Sequence, residues 1–377
     1  MKFLHTADLH IGKTLNNFSF LEDQRYILDR ISHIASEEKV DAILIAGDVY
    51  QRSSPQAEAM ALFDGFVTGL TSNGIRVFMI SGNHDSEQRI AYFSELLRTS
   101  GVYTAEKFNG TLQKVELRDA HGPVDIWLMP FLRPANVRMF YPAKKITGYT
   151  DALRTVLDSA DIDRSRRNVL LCHQFIIGSE TSDSEENSLG GLDQVDPALF
   201  DAFDYTALGH IHKPQVVRRG QMLYAGSPLK YSLSEVDQTK SVTIVNLSAK
   251  GDITLKNVPL TPMREMRCID GTLESVMAMP TSEDYVWITV HDDLVPPDAA
   301  KMFDTQFPNM MRFTVQNEKT RTDLDVTAAE DIKNKTEEEL FMEFYALQNN
   351  GVMPTDAHMA VIRDILRQKE GSRDEAR

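Results

Sequence analysis

Short apolar runs alternate with amphipathic stretches along the first 260 or so residues of this 377-residue chain. The run Lys2–Thr6, "KFLHT", reads as a strand. From Leu21 to Lys39, Ile27, Ile31, Ile34 and Ala35 recur at i, i+4, i+7 and i+8, which predicts a helix with one buried face. Asp41–Gly47 predicts a second strand. Pro55 opens a second helix that runs to about Asn73, where Gly74 stops it. Ile75–Ser81, rich in branched and aromatic residues, predicts a third strand, and Glu87–Thr99 a third helix. This β-α-β-α-β-α order predicts a parallel sheet with helices on its faces. Further strands are expected at Val124–Pro130, Asn168–His173 and Tyr205–His210. Met222–Gly226 and Ser241–Leu247 read as strands of an antiparallel edge.

The pattern changes scale near residue 263. From Met263 to Asn317 a smaller unit reads β-α-β-α-β, with strands at "MREMRCI", "YVWITV" and "MMRFTV" and helices at "LESVMAM" and "DAAKMFDTQF". The polar stretch "NEKTRTDLDVTAAED" then reads as a linker. Two terminal helices follow. One opens on the capping box Thr336-x-x-Glu339 and carries Leu340, Phe341, Phe344 and Leu347. The other, from about Thr355 to Glu370, carries Met359, Ile362 and Leu366 and is expected to stop at Gly371.

Composition narrows the class. The 42% hydrophobic and 25% charged content is that of an ordinary soluble globular protein. No apolar run approaches a membrane span, and the N-terminal "MKFLHTADLH" is a strand carrying polar groups rather than a signal peptide. The two cysteines, Cys172 and Cys268, form no disulfide framework, so a cytoplasmic location is expected. The net charge of −15 argues against a basic nucleic-acid clamp, yet clustered carboxylates suit divalent cations, which reverse the local sign.

Chemistry enters with "GNHDS", Gly82 to Ser86, directly after the third strand. Alone it is either a turn, because Gly, Asn and Asp are turn formers, or a site. The other strand ends decide between them. The first strand ends in Asp8-x-His10, the second in Gly47-Asp48, the third in Asn83-His84-Asp85. "NVLLCH" ends in His173, and "YTALGH" in Gly209-His210-x-His212. Five of the ten histidines thus sit at strand ends. A lone histidine there is usually structural, but five coincident ends point to one edge carrying a site. Histidines such as His33, His121, His291 and His358, on helices or loops, keep the ordinary reading.

Asp, Asn and His offer oxygen and imidazole nitrogen with no thiolate. That donor set suits Mn²⁺, Fe²⁺ or Zn²⁺ rather than a structural zinc. Seven ligands are too many for one catalytic ion that keeps open positions, and they fit two ions sharing a carboxylate. Such a pair serves in-line displacement at phosphorus, with a nearby histidine protonating the leaving oxygen.

D-x-H, G-D, G-N-H-D, H and G-H-x-H in this order resemble the calcineurin-like metallophosphoesterase superfamily. More narrowly, "HTADLHIGK", "AGDVYQRSSP", "SGNHDS", "ALGHIHKPQ" and "YAGSPLKYSLSE" resemble the SbcD family, nuclease subunits of SbcCD complexes. These are related to the archaeal and eukaryotic double-strand-break repair nucleases, and the resemblance covers essentially the whole chain. It implies an α/β fold: a four-layer-type metallophosphoesterase sandwich of mixed sheets flanked by helices, with a small α+β capping domain and C-terminal helices. The implied boundaries are 1–260 for the nuclease domain, 261–320 for the capping domain, 321–335 for a linker, and 336–370 for the terminal helices. Those helices would dock on the coiled-coil base of an SbcC-like ATPase. The resemblance implies one metal on Asp8, His10, Asp48 and His212, and a second on Asp48, Asn83, His173 and His210. Mn²⁺ is the expected ion, with Mg²⁺, Fe²⁺ or Zn²⁺ as alternatives. His84 would face the scissile phosphate, Asp85 would orient His84, and Gly82 would give the backbone room to turn.

Archaeal relatives carry a second catalytic histidine three residues after the bridging Asp. Gln51 stands there in this chain and is assigned no catalysis. In "AGSPLKYSLSE", Ser227 and Lys230 are expected to shape the DNA path. Met60, Phe63 and Phe66 on one helix, with Tyr92, Phe93 and Leu96 on the next, exceed what covers a sheet; in the resembled family such helices pair two copies, implying a homodimer. The expected function is a Mn-dependent DNA nuclease, exonucleolytic on double strands and endonucleolytic on single strands or hairpins, working with the ATPase partner in repair and recombination. The alternatives are a small-molecule phosphoesterase of the same superfamily and a non-catalytic scaffold on this fold.

Overall fold

The computed structural model describes residues 1–185, 194–218, 220–317, 336–349 and 352–374. It divides into two compact units, Met1–Met266 and Arg267–Arg377. The expected linker at 321–335 lies outside the described residues.

In the first unit the strands form two mixed sheets, as the sandwich reading expects, and the three strands of the β-α-β-α-β-α order lie parallel in the first of them. The first has the order Ile253–Pro259, Ser241–Leu247, Lys2–Thr6, Ala42–Ile45, Arg76–Met79 and Val102–Thr104. Its last four strands are parallel, and the other two are antiparallel additions. The second has the order Gln215–Arg218, Met222–Tyr224, Tyr205–Gly209, Arg167–His173, Gly122–Met129 and Gln113–Asp119, with four parallel strands in its middle. Met222–Tyr224 and Ser241–Leu247, expected to share an edge, therefore belong to different sheets.

The reason is that the central strands are apolar on both faces. Ala42–Ile45 is buried at every position, and so is Arg167–His173. A strand of that kind needs cover on both sides. Phe3, Leu44 and Phe78 of one sheet meet Ile126, Leu171 and Ala207 of the other in a shared core. The far face of the second sheet packs Leu170 and Leu208 against Leu153 and Val156 of the helix Tyr149–Ser159. The helix Ala57–Ser72 packs on the first sheet at Arg76–Met79. His5 crosses between the sheets: its Nδ1 lies 2.8 Å from the Tyr205 hydroxyl and its Nε2 3.2 Å from the Leu208 carbonyl.

The helix expected at Glu87–Thr99 is two short helices, Glu87–Ile90 and Ser94–Thr99. Phe93 between them takes a left-handed backbone, φ 61°. Tyr92, Phe93 and Leu96 are 61–67% exposed, so no core holds this stretch in one register. Phe63 and Phe66, by contrast, are buried in the chain's own core, which leaves Met60 as the exposed member of that helix's set.

The second unit holds a three-stranded sheet in the order Met266–Gly271, Tyr285–Val290 and Met310–Val315, with a core of Ile269, Val276, Ile288, Val290, Phe303 and Phe307. Helices Glu337–Gln348 and Asp356–Asp374 follow, the first opened by the capping box of Thr336 and Glu339. The second continues through Gly371 rather than stopping there. Met359 is buried, whereas Phe344, Val361 and Ile365 are exposed. Among the described residues, no helix is long and apolar enough to cross a membrane.

Candidate metal centre

Both sheets deliver their strand ends to one place. The first sheet brings Asp8, His10, Asp48 and Asn83; the second brings His173, His210 and His212. The two loops leaving Lys2–Thr6 and Ala42–Ile45 stay zipped by backbone bonds, Asp8 N–H to Gly47 O (3.1 Å), His10 N–H to Asp48 O (3.0 Å) and Ile11 N–H to Val49 O (2.9 Å). The sheets are joined at the site by the His210 N–H, which donates to Asp8 Oδ1 at 3.0 Å.

The backbone is strained where the polar groups emerge. Asp8, His10, Asp48 and His210 all have positive φ, at 52°, 45°, 47° and 103°. Non-glycine residues rarely occupy this region, and clusters of them mark functional sites. Two glycines allow the close packing. A Cβ on Gly47, whose φ is +92°, would lie 2.3 Å from His173 Nδ1. A Cβ on Gly82 would lie 2.0 Å from Asp48 Oδ1. Gly82 thus serves close approach to Asp48 rather than an unusual turn.

Within this frame the donors converge. His10 Nε2 is 3.1 Å from His212 Nε2 and 3.6 Å from Asp48 Oδ2. His173 Nε2 is 3.4 Å from the same Asp48 oxygen and 3.1 Å from Asn83 Oδ1, and His210 Nδ1 is also 3.1 Å from that Asn83 oxygen. Three groups of potential ligand atoms lie within 4.8 Å of one another: Asp8–His10–His212, His10–Asp48–His84 and Asp8–Asp48–His173.

Donor atoms crowd one another here. His173 Nδ1 lies 2.8 Å from the Ala46 carbonyl, which can only accept, so Nδ1 carries a proton. Although burial works against it, Asp48 raises the His173 ring to about 9, so Nε2 also carries a proton, aimed at Asp48 Oδ2 and Asn83 Oδ1. A cation would take that proton's place among the convergent acceptors. The residues therefore fit divalent metal, and their oxygen and nitrogen donors fit a transition ion.

Electrostatics agree. Burial pushes the Asp8 carboxyl up to about 7, against the pull of His173 and His212. Burial also works to raise Asp48, but its contact and hydrogen bond with His173 hold it well below the usual carboxylate range. Burial lowers His10, and it lowers His210 to about 3, so both imidazoles keep their lone pairs.

The residues read as catalytic sit beside this cluster. His84 is half-buried; its ring stands edge-on to His10 with centroids 4.9 Å apart. Its backbone N–H donates to Asp48 Oδ1 at 3.0 Å, and its Nδ1 lies 3.2 Å from the Gln51 carbonyl. Asp85 differs from expectation. Its carboxylate accepts from the backbone N–H groups of Val49, Tyr50 and Gly82 at 2.9–3.0 Å. It pins the loops carrying Asp48 and His84 and does not hold the His84 ring.

Ser227 and Lys230 also differ. Ser227 is buried, with its hydroxyl donating to Leu229 O and accepting from Lys240 Nζ. Lys230 is tied to Val236 O and Glu265. Neither is free to line a DNA path. Sequence reasoning missed Gln24 and Tyr231, which tie down the backbone of Leu9 and His10. It also missed Glu185, Glu235 and Lys240 around His212. Glu235 is the last residue of "AGSPLKYSLSE", but nothing in its spacing marks it.

Residues 1–214 match the calcineurin-like phosphoesterase family, and residues 262–349 match the family described as type 5 capsule protein repressor C-terminal domain. The chain is 36% identical over 281 residues to the SbcD component of nuclease SbcCD from Staphylococcus epidermidis, covering 74% of each protein. It is 34% identical over 324 residues to the SbcD component of nuclease SbcCD from Staphylococcus saprophyticus, covering 84% of this chain and 85% of that one. The chain belongs to the SbcD family of calcineurin-like phosphoesterases. As an SbcD-family protein it is a metal-dependent phosphodiester hydrolase. Among solved structures, a dimetal phosphatase from Danio rerio is similar at a TM-score of 0.42 and 11% identity, over 69% of this chain and 98% of that one.

Proposed function

We propose that this chain is the nuclease subunit of an SbcCD-type complex. It would cut DNA with Mn²⁺, as an exonuclease on duplex ends and an endonuclease on single strands and hairpins, with an SbcC-like coiled-coil ATPase as partner. The observation that carries the reading is the convergence of seven Asp, Asn and His side chains from both sheets beside the half-buried His84.

In this reading Asp8, His10, Asp48 and His212 hold one ion, and Asp48, Asn83, His173 and His210 the other, with Asp48 shared. Two bound ions supply an activated water and a clamp on the phosphoryl oxygens. The protein supplies the rest. The Gln51 carbonyl accepts a hydrogen bond from His84 Nδ1–H, so that a proton on Nε2 would face the scissile phosphate or its leaving oxygen. Asp85 keeps Asp48 and His84 in register. Residues 261–320 would be the capping domain and 336–370 the partner-binding helices, whose exposed Phe344, Val361 and Ile365 suit a coiled-coil surface. The exposed Met60, Tyr92, Phe93 and Leu96 suit a two-fold pairing of copies. Cys172 is a buried thiol outside any disulfide, which suits the cytoplasm.

The test is purified protein with Mn²⁺ or Mg²⁺ on a labelled hairpin DNA and on bis-nitrophenyl phosphate. Mn-dependent hairpin cleavage is expected. Hydrolysis of the small ester with intact DNA would make the protein a small-molecule phosphoesterase. Loss of both would leave a scaffold.

A further inference from the structure

His212 is gripped at every polar atom except Nε2. Its N–H donates to Glu185 Oε1 at 2.6 Å. Its carbonyl accepts from Lys240 Nζ at 2.9 Å and from the Ser227 N–H at 3.1 Å. Its Nδ1 lies 3.2 Å from Glu235 Oε1. Glu235 and Lys240 are both buried, and Lys240 Nζ meets Glu235 Oε2 at 2.6 Å. Lys240 is also bonded to Ser227 Oγ (2.9 Å) and Gln238 Oε1 (2.8 Å), and Glu235 accepts from the Ser184 and Ser232 hydroxyls.

Such a buried pair needs a reason, since an apolar pair of similar volume is often as stable or more so. We propose that Glu235, held by Lys240, is a positioning residue that sets the tautomer of His212. A carboxylate paired with an ammonium can only accept, so the His212 proton must sit on Nδ1. The Nε2 lone pair is then aimed at His10 Nε2, 3.1 Å away, where the first ion would sit. A carboxylate behind a ligating imidazole fixes its ring and raises its basicity. His173 has its Nδ1 proton held in the same way by the Ala46 carbonyl. His212 follows its strand on a loop, and there the segment ending at Glu235 supplies the acceptor instead.

The proposal rests on His212 being a metal ligand. Two full-length variants separate the tautomer from the charge pair: E235L/K240M removes the acceptor, and E235Q/K240M keeps an amide oxygen at the same place. Mn²⁺ titration by calorimetry should show one of two ions bound about 10–100-fold more weakly in E235L/K240M. The other ion should be unaffected, and E235Q/K240M should recover the loss. Wild-type affinity at both sites in a folded E235L/K240M would overturn the proposal. The wild-type protein gives a readout independent of variant folding. Nitrogen-15 spectra of its histidines after chelation should show His212 protonated on Nδ1, and protonation on Nε2 would overturn the proposal. If H212A itself binds two ions normally, the ligand assignment fails instead.

Discussion

The Nε2 atoms of His10 and His212 lie 3.1 Å apart, although the two residues are 202 positions apart in the chain and come from different sheets. Two neutral imidazoles can share one proton at that distance, or both can bind one ion. The second option predicts unequal effects of ligand loss. His212→Ala should cost one ion, and Asp48→Ala, whose carboxylate lies within 3.6 Å of both His10 and His173, should cost both. Metal analysis after dialysis reads this directly. Equal, near-stoichiometric metal in the two variants would remove Asp48 as the bridge.

Gly82→Ala tests how tightly the site is built. The new Cβ would sit 2.0 Å from Asp48 Oδ1 and 2.5 Å from the Asp48 backbone nitrogen, and neither is the yielding end of a flexible chain. The loop must shift. A displacement near 1 Å at a catalytic centre costs on the order of 10²-fold in rate. The expected result is a folded protein with circular dichroism like wild type and phosphodiesterase activity reduced about that much. Activity within a few-fold of wild type would show that the loop is softer than its packing indicates.

His84→Gln separates catalysis from ligation. Loss of a general acid removes about 10²–10⁴ in rate. If His84 serves the phosphate, the variant should bind metal and DNA normally and turn over more slowly by that factor. If it loses an ion, His84 belongs to the group it forms with His10 and Asp48, all within ligand distance of one another.

The convergence was legible in the sequence because each candidate ligand follows an apolar run, and a parallel strand must end somewhere useful. What the runs themselves did not reveal was which sheet each would join, as Met222–Tyr224 and Ser241–Leu247 show. Apolar residues on both faces of a strand show that it is covered, not what covers it. The roles of polar residues also escaped. Asp85 follows His84 directly, yet its carboxylate turns back to three backbone N–H groups, one of them across the loop at Tyr50. Glu235 and Lys240 lie in an unremarkable polar stretch, and only the fold brings them behind His212. The break at Phe93 carries no glycine or proline signal. It follows from the lack of a core beneath Tyr92 and Phe93, a tertiary fact.

His5 gives the last prediction, a pH dependence of stability. Burial between the sheets drops its pKa from 6.5 to about 3, only partly offset by the Leu208 carbonyl. The neutral ring is satisfied as it stands, with Nε2–H donating to Leu208 O and Nδ1 accepting from the Tyr205 hydroxyl. In the unfolded chain the same ring takes a proton near 6.5. Between the two values the unfolded state therefore holds more protons, and stability falls as pH falls. The contribution is fully present above about pH 6.5 and fades at up to roughly 1.4 kcal/mol per pH unit below it. His5→Gln removes the titration while keeping a donor and an acceptor. Urea unfolding of wild type and variant at about pH 7.5 and about pH 5 should show the wild type losing more stability than the variant, by about 1–2 kcal/mol. Parallel losses in the two proteins would mean that His5 protonates in the folded state as readily as in the unfolded chain, and that the junction between the sheets is wetter than its burial indicates.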